Sequence, residues 1–170
     1  KKFYKFFEDI KDKLGIRKTS FTKIFEYLDG IDGPINIVET GCLRIKDNFL
    51  GDGQSTLLFD KYTQCREEGS KVYTVDINPR ATKICESVVS NNVEIHTGDS
   101  VKYLAELMPK FKKDGKKVSL FYLDSFDVDW QSPDRSAAHH LKEMAVIINY
   151  LSEESLICLL YTSPSPRDKT

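Results

Sequence analysis

Lys71-Val72-Tyr73-Thr74-Val75-Asp76, followed at once by Ile77-Asn78-Pro79, reads as a strand that ends in an acid and turns into a helix. Val, Tyr and Thr favour a pleated, half-buried backbone, and Pro79 suits the first position of a helix, where its missing N–H is not needed. The same unit repeats on both sides of it. Ile35–Glu39, Val93–Thr97, Lys117–Asp124 and Ser155–Leu159 are further strand candidates. Between the strands, Ser55–Glu68, Pro79–Ser90, Val101–Lys112 and Ser136–Leu151 carry helical periodicity. Alternating helices and apolar strands predict an α/β domain: a doubly wound, mainly parallel sheet with helices on both faces.

Upstream, Phe3, Phe6, Phe7, Ile10 and Leu14 recur at helical spacing, as do Phe21, Ile24, Phe25 and Leu28. Residues 1–30 are therefore expected to form N-terminal helices, which either pack near the mouth of a cleft or cover the sheet as ordinary core. Asp29-Gly30 and Asp32-Gly33-Pro34 then punctuate the chain before a domain expected over residues 31–157.

With 170 residues, 40% of them hydrophobic and 30% charged, the chain has the length and composition of one globular domain. A net charge of −1 argues against a dedicated nucleic-acid binder, and Lys110, Lys112, Lys113, Lys116 and Lys117 read as a solvated helix end and turn. The longest apolar run, Leu156 to Tyr161, is six residues, far short of the roughly 20 a membrane span needs. Lys1 to Lys18 is charged throughout, without the apolar centre of a signal peptide. Cysteines 42, 65, 85 and 158 form no Cys-x-x-Cys pair, which speaks against structural zinc and suits a reducing, cytoplasmic setting. Nothing in the sequence sets an oligomeric state.

In open α/β sheets, ligands bind beyond the carboxyl ends of the strands, so the residues at those ends matter most. The first strand ends in Glu39-Thr40-Gly41, and Gly51-Asp52-Gly53-Gln54-Ser55-Thr56 leads from the following loop into a helix. Glycines allow close backbone approach, and Ser55 or its neighbour is placed to cap the helix. No Gly-Lys-Ser/Thr follows, so this is not a P-loop, and Thr56 stands where a dinucleotide fingerprint has its third glycine. Asp76 ends the second strand, where it either accepts both hydroxyls of a ribose or serves the turn into Pro79. Asp99, in Gly98-Asp99-Ser100 after the third strand, either accepts from an adenine amine or caps the next helix. Asp124 ends the fourth strand facing the cleft, with Asp127 and Asp129 close behind as further cleft acids or polar loop. Trp130 and Tyr122 either floor a pocket or pack as core.

These four strand ends together resemble the class I S-adenosylmethionine-dependent methyltransferases over roughly Ile35 to Ile157. The resemblance implies a Rossmann-like fold and a cofactor laid across the strand ends. Glu39 and Gly41 would meet its methionine part, with Gly51, Gly53 and Ser55 in the same loop. Asp76 would hold the ribose, Asp99 and Ser100 would border the adenine, and Asp124 would sit nearest the transferring methyl. Some members use a cleft acid and a His as base or as divalent-metal ligands. Asp124 with His139 or His140 is accordingly the expected catalytic group, against the alternative that both histidines pack as helix-start residues; no metal ligands are assigned. The methyl acceptor is expected to be a small molecule or a sugar. The chain departs from the family in the ten-residue interval from Gly41 to Gly51, and in supplying five strands where the family has seven. A nicotinamide-dependent oxidoreductase is the competing enzyme class, since Asp76 lies 23 residues after Gly53. A non-catalytic cofactor-binding or interaction domain is the competing non-enzyme class.

Residues 158–168, Cys-Leu-Leu-Tyr-Thr-Ser-Pro-Ser-Pro-Arg-Asp, break the pattern of everything before them. They resemble the conceptual translation of a transposon sequencing adapter. Residues 158–170 are therefore expected to be an artefactual tail on a C-terminally truncated chain from an environmental read, with the strand near Leu156 at a sheet edge. The absence of an initial Met fits a fragment.

Overall fold

The chain opens with helices α1 (Lys2–Ile10) and α2 (Arg17–Asp29), joined by a 3-10 turn over Lys11–Leu14. Strand and helix then alternate: β1 (Asn36–Thr40), α3 (Ser55–Thr63), β2 (Lys71–Asp76), α4 (Pro79–Glu86), β3 (Val93–Thr97), α5 (Ser100–Lys113), β4 (Leu120–Leu123), α6 (Pro133–Ile147) and β5 (Leu156–Leu159). This computed structural model describes residues 2–52, 54–126, 131 and 133–160. The five strands form one sheet in the order β3-β2-β1-β4-β5, and every pairing is parallel. The doubly wound α/β architecture expected from the alternation is therefore present.

Side-chain alternation along the strands sorts the core into two layers. Ile37, Val72, Leu120 and Tyr122 face a cluster built from α1, α2 and α3, including Phe3, Phe7, Phe21, Phe25 and Phe59. Val38, Tyr73, Phe121 and Leu123 face the opposite way, onto Leu104, Met108, Phe111 and Ile147 of α5 and α6. Both sides of the central strands are covered, which is why β1 and β4 are buried from end to end.

The aromatic stripe of the first helices is core cover. Phe3 meets Phe25 and Tyr62 edge-on, with centroids 4.6 and 5.0 Å apart, and Tyr122 stacks on Phe21 at 5.9 Å. Tyr122 is thus a core residue rather than a pocket floor, and residues 2–29 share one core with the sheet.

Two of the helices are shorter than their periodicity suggested. α3 stops at Thr63 and α4 at Glu86, and polar side chains tie α3 to the segment that follows α4. Asp60 accepts from the Ser90 backbone N–H at 3.0 Å and hydroxyl at 2.6 Å, and Asn92 donates to Thr63 at 2.7 Å. α6 starts earlier than expected, at Pro133, which fits the first turn of a helix.

β5 pairs with β4 alone and forms one edge of the sheet, as expected. It runs through Cys158 and Leu159, opposite Tyr122 and Leu123, and so passes the boundary expected at residue 157. Residues 161–170 lie outside the described residues. Among the described residues, no helix is long and apolar enough to cross a membrane.

Phe25 is wholly buried between the N-terminal helices and the sheet. Phe25→Ala is expected to lower unfolding free energy by about 3–5 kcal/mol, the usual loss for a buried Phe. Urea unfolding measures this, and a loss below about 1 kcal/mol would show that the helices are not part of the core.

Candidate functional site

β1 and β4 are neighbours in the sheet, yet the chain leaves them toward opposite sides: β1 leads through α3 to β2, and β4 leads through α6 to β5. Such a switch point opens a crevice at the carboxyl ends of the strands. A cleft of about 240 Å³ lies there, and its wall includes Gly41, Asp76, Asp124 and Ser125.

Gly41 sets the width of the crevice. Its φ of +83° is a left-handed conformation, and a Cβ built on it would lie 2.2 Å from the Asp124 carbonyl oxygen. No other residue type fits between the ends of β1 and β4. Its N–H donates to the Val75 carbonyl at 2.8 Å, so the turn continues the sheet bonding.

Glu39, two residues earlier on β1, is completely buried. Its carboxylate accepts from three hydroxyls: Ser55 at 2.5 Å, Thr56 at 2.6 Å and Thr74 at 2.7 Å. Burial pushes the Glu39 carboxyl up to about 7, against the three donors that favour its charge, and the Asp124 carboxylate raises it further. Glu39 therefore holds the site together from behind, while Ser55 reaches the cleft wall. The same bonds explain the start of α3. Ser55 and Thr56 are drawn to Glu39, the capping position falls to Gln54, and no side chain caps the helix. Gln54 takes a left-handed φ of 54° and donates to the Ile45 carbonyl at 2.7 Å.

The long interval after Gly41 is a folded loop. Thr56 accepts from the Leu43 N–H at 2.9 Å, and Asp52 accepts from the Arg44 N–H at 3.0 Å and from its guanidinium at 3.4 Å. Arg17 of α2 donates to the Gly51 carbonyl at 3.1 Å. Cys42, Arg44 and Asp52 line the cleft, whereas Gly51 stands exposed on the outer part of the loop. Gly41 is thus the glycine at the cleft; Gly53 lies outside the described residues.

Asp76 lines the cleft as expected. One carboxylate oxygen accepts from the Asn78 N–H at 2.8 Å and the other from the Cys42 N–H at 3.2 Å. Each oxygen keeps a lone pair for a further donor, so the carboxylate is fixed in place and able to accept two more hydrogen bonds. Ile77 beside it is 73% exposed and lies on the cleft wall.

Asp99 and Ser100 are not in the cleft. Asp99 caps α5 by accepting from the Lys102 N–H at 2.9 Å, and Ser100 is buried against α6. The histidines gather around Glu143 of α6. His140 Nδ1 lies 3.0 Å from Glu143, and His139 Nε2 lies 2.9 Å from the Ser100 hydroxyl. This cluster touches the cleft through Ser125, which donates to Glu143 at 2.6 Å. Among the described residues, no three His, Cys, Asp or Glu side chains are arranged to hold a metal ion. Asp127, Asp129 and Trp130 lie outside the described residues.

Arg44, Asp52, Ile77, Ser125 and Glu143 went unselected from sequence. For Glu143 a signal existed: it stands three and four residues after His140 and His139, on one face of a helix. No protein-family model matches this sequence, and no curated protein is significantly similar to it.

The raised Glu39 carboxyl has a sign that can be checked. The folded state holds this proton more tightly than the unfolded chain does, so its contribution to stability is complete below about pH 4.5 and lost as pH rises through about 7. The loss is on the order of 3 kcal/mol. Relative to Glu39→Gln, the wild-type unfolding free energy is expected to fall by that amount between pH 4.5 and 7.5. A difference between the two proteins that stays flat across that range would contradict the assignment.

Proposed function

We propose that this chain is an S-adenosylmethionine-dependent methyltransferase acting on a small molecule or sugar. The observation that carries this reading is the sign of the charge around the switch-point cleft. Among the described residues, its charged lining side chains are Asp52, Asp76 and Asp124 against Arg44. A donor with a sulfonium, an ammonium and one carboxylate suits that set. A dinucleotide brings a diphosphate instead, and like charges about 4 Å apart repel by roughly 4 kcal/mol near a protein surface.

Several residues fit parts of such a cofactor. Asp76 would accept from the ribose hydroxyls through the lone pairs its backbone partners leave. Ile77 offers an exposed apolar face beside it for a purine. Gly41, on the cleft wall, would lie against the methionine part. Bound there, the cofactor supplies a methyl group on an electron-poor sulfonium. The protein's share is positioning: Gly41 and Asp124 fix the crevice walls, and Asp124 orients the acceptor and draws on its proton.

Calorimetric titration tests this reading. S-adenosylhomocysteine is expected to bind more tightly than NAD. Asp76→Ala should weaken binding by a few kcal/mol, at roughly 1.5–3 for each charge-assisted hydrogen bond lost. Circular dichroism should show the variant folded. Tighter binding of NAD, or an Asp76→Ala variant with unchanged affinity, would overturn the proposal.

A further inference from the structure

Behind the cleft wall, Glu143 of α6 is wholly buried, and groups from three elements converge on it. Ser100, at the start of α5, donates to Oε1 at 2.5 Å, and Ser125, just past β4, donates to the same oxygen at 2.6 Å. His140 reaches Oε2 through Nδ1 at 3.0 Å, and His139 Nε2 lies 2.9 Å from the Ser100 hydroxyl oxygen. Burial acts to raise the Glu143 carboxyl, but His140, Ser100 and Ser125 as donors, with the charge of His139, hold it below the usual carboxylate range. At neutral pH it is an acceptor only.

The hydrogens can then be placed by counting. An ionised carboxylate has none to give, so in every contact the hydrogen belongs to the partner. Ser100 and Ser125 have one hydroxyl hydrogen each, and both are committed to Glu143. His139 must therefore present Nε2–H to Ser100, and His140 must present Nδ1–H to Glu143. A neutral His140 is left with a bare Nε2 lone pair, and this buried atom has no hydrogen-bond partner among the described residues. Ser125 lines the cleft beside Asp124. With its hydrogen turned inward, it shows the cleft lone pairs alone.

We propose that Glu143 is a positioning residue that makes the Asp124–Ser125 side of the cleft a wall of hydrogen-bond acceptors. The molecule held there carries O–H or N–H groups, as an alcohol, a polyol or an amine does, and is not a carboxylate or a phosphate. On the reading of the cleft as a methyl-transfer site, on which this assignment of the substrate rests, that molecule is the methyl acceptor.

The first arm of the test needs no ligand. The chain has three histidines, so long-range proton–nitrogen NMR at a pH where imidazole is neutral resolves their tautomers. His140 is expected as Nδ1–H and His139 as Nε2–H, and Glu143→Leu, which removes the acceptor, should turn His140 into a mixture. His140 found as Nε2–H, or unmoved by Glu143→Leu, would overturn the positioning role.

The second arm follows the Asp124 and Ser125 amide signals while ethanolamine, methyl glucoside, acetate and methyl phosphate are titrated in turn. The amine and the sugar are expected to bind at least tenfold more tightly than the two anions. Glu143→Gln, which can offer an N–H to Ser125 and turn its hydrogen outward, should shrink that preference. Ser125→Ala should shrink it as well, and it serves if Glu143→Gln does not fold. Equal or tighter binding of the anions, or no response to any probe, would overturn the substrate assignment. If the tautomers are as expected and S-adenosylhomocysteine does not bind, the methyl-transfer reading fails while the positioning role stands.

Discussion

A carboxylate with no exposure to water, Glu39, holds the functional end of this molecule together. Burying an ionisable group is costly unless donors surround it, and here three hydroxyls do, from α3 twice and β2 once. The consequences spread outward. The start of α3 is fixed to the end of β1, Thr56 can in turn accept from Leu43, and the loop from 41 to 54 is folded against the sheet. Gly41 then passes under Asp124 with no room for a side chain. The cleft is the space these constraints leave open.

The chemistry of the cleft follows from the same arrangement. Its lining carboxylates outnumber its cations, and the two buried glutamates stand behind it rather than in it. Glu39 sits behind the β1 side and Glu143 behind the β4 side. Each is satisfied by hydroxyls whose hydrogens point inward, and Ser55 and Ser125, which line the cleft, are among those donors. Among the described residues, an acidic, acceptor-rich crevice results, and the proposed cationic cofactor and hydrogen-donating acceptor rest on that character.

The sheet was legible in the sequence because its strands are covered on both faces and so read as continuous apolar runs. Asp, Gly and Pro at their ends mark the turns. Asp76 was legible for the same reason, since position at a strand end decides its exposure. Glu39 was selected for its place at the end of β1, as a group against the cofactor, but nothing in Val38-Glu39-Thr40 tells that its side chain turns inward to three hydroxyls from distant segments. Ser100 and the two histidines show the converse. Their residue types suggested cofactor and substrate contacts, and nothing local tells that Glu143 on α6 draws the Ser100 and His140 hydrogens. The exposed Ile77 and the fold of the 41–54 loop depend on tertiary packing that local periodicity does not encode.

A crystal structure of the chain grown with S-adenosylhomocysteine tests the assignment of the cleft most directly. The expected result places the ribose hydroxyls within hydrogen-bond distance of the Asp76 carboxylate, the purine on Ile77 and the homocysteine portion against Gly41. Ligand bound elsewhere on the molecule, or a cleft holding only solvent at saturating ligand, would contradict it.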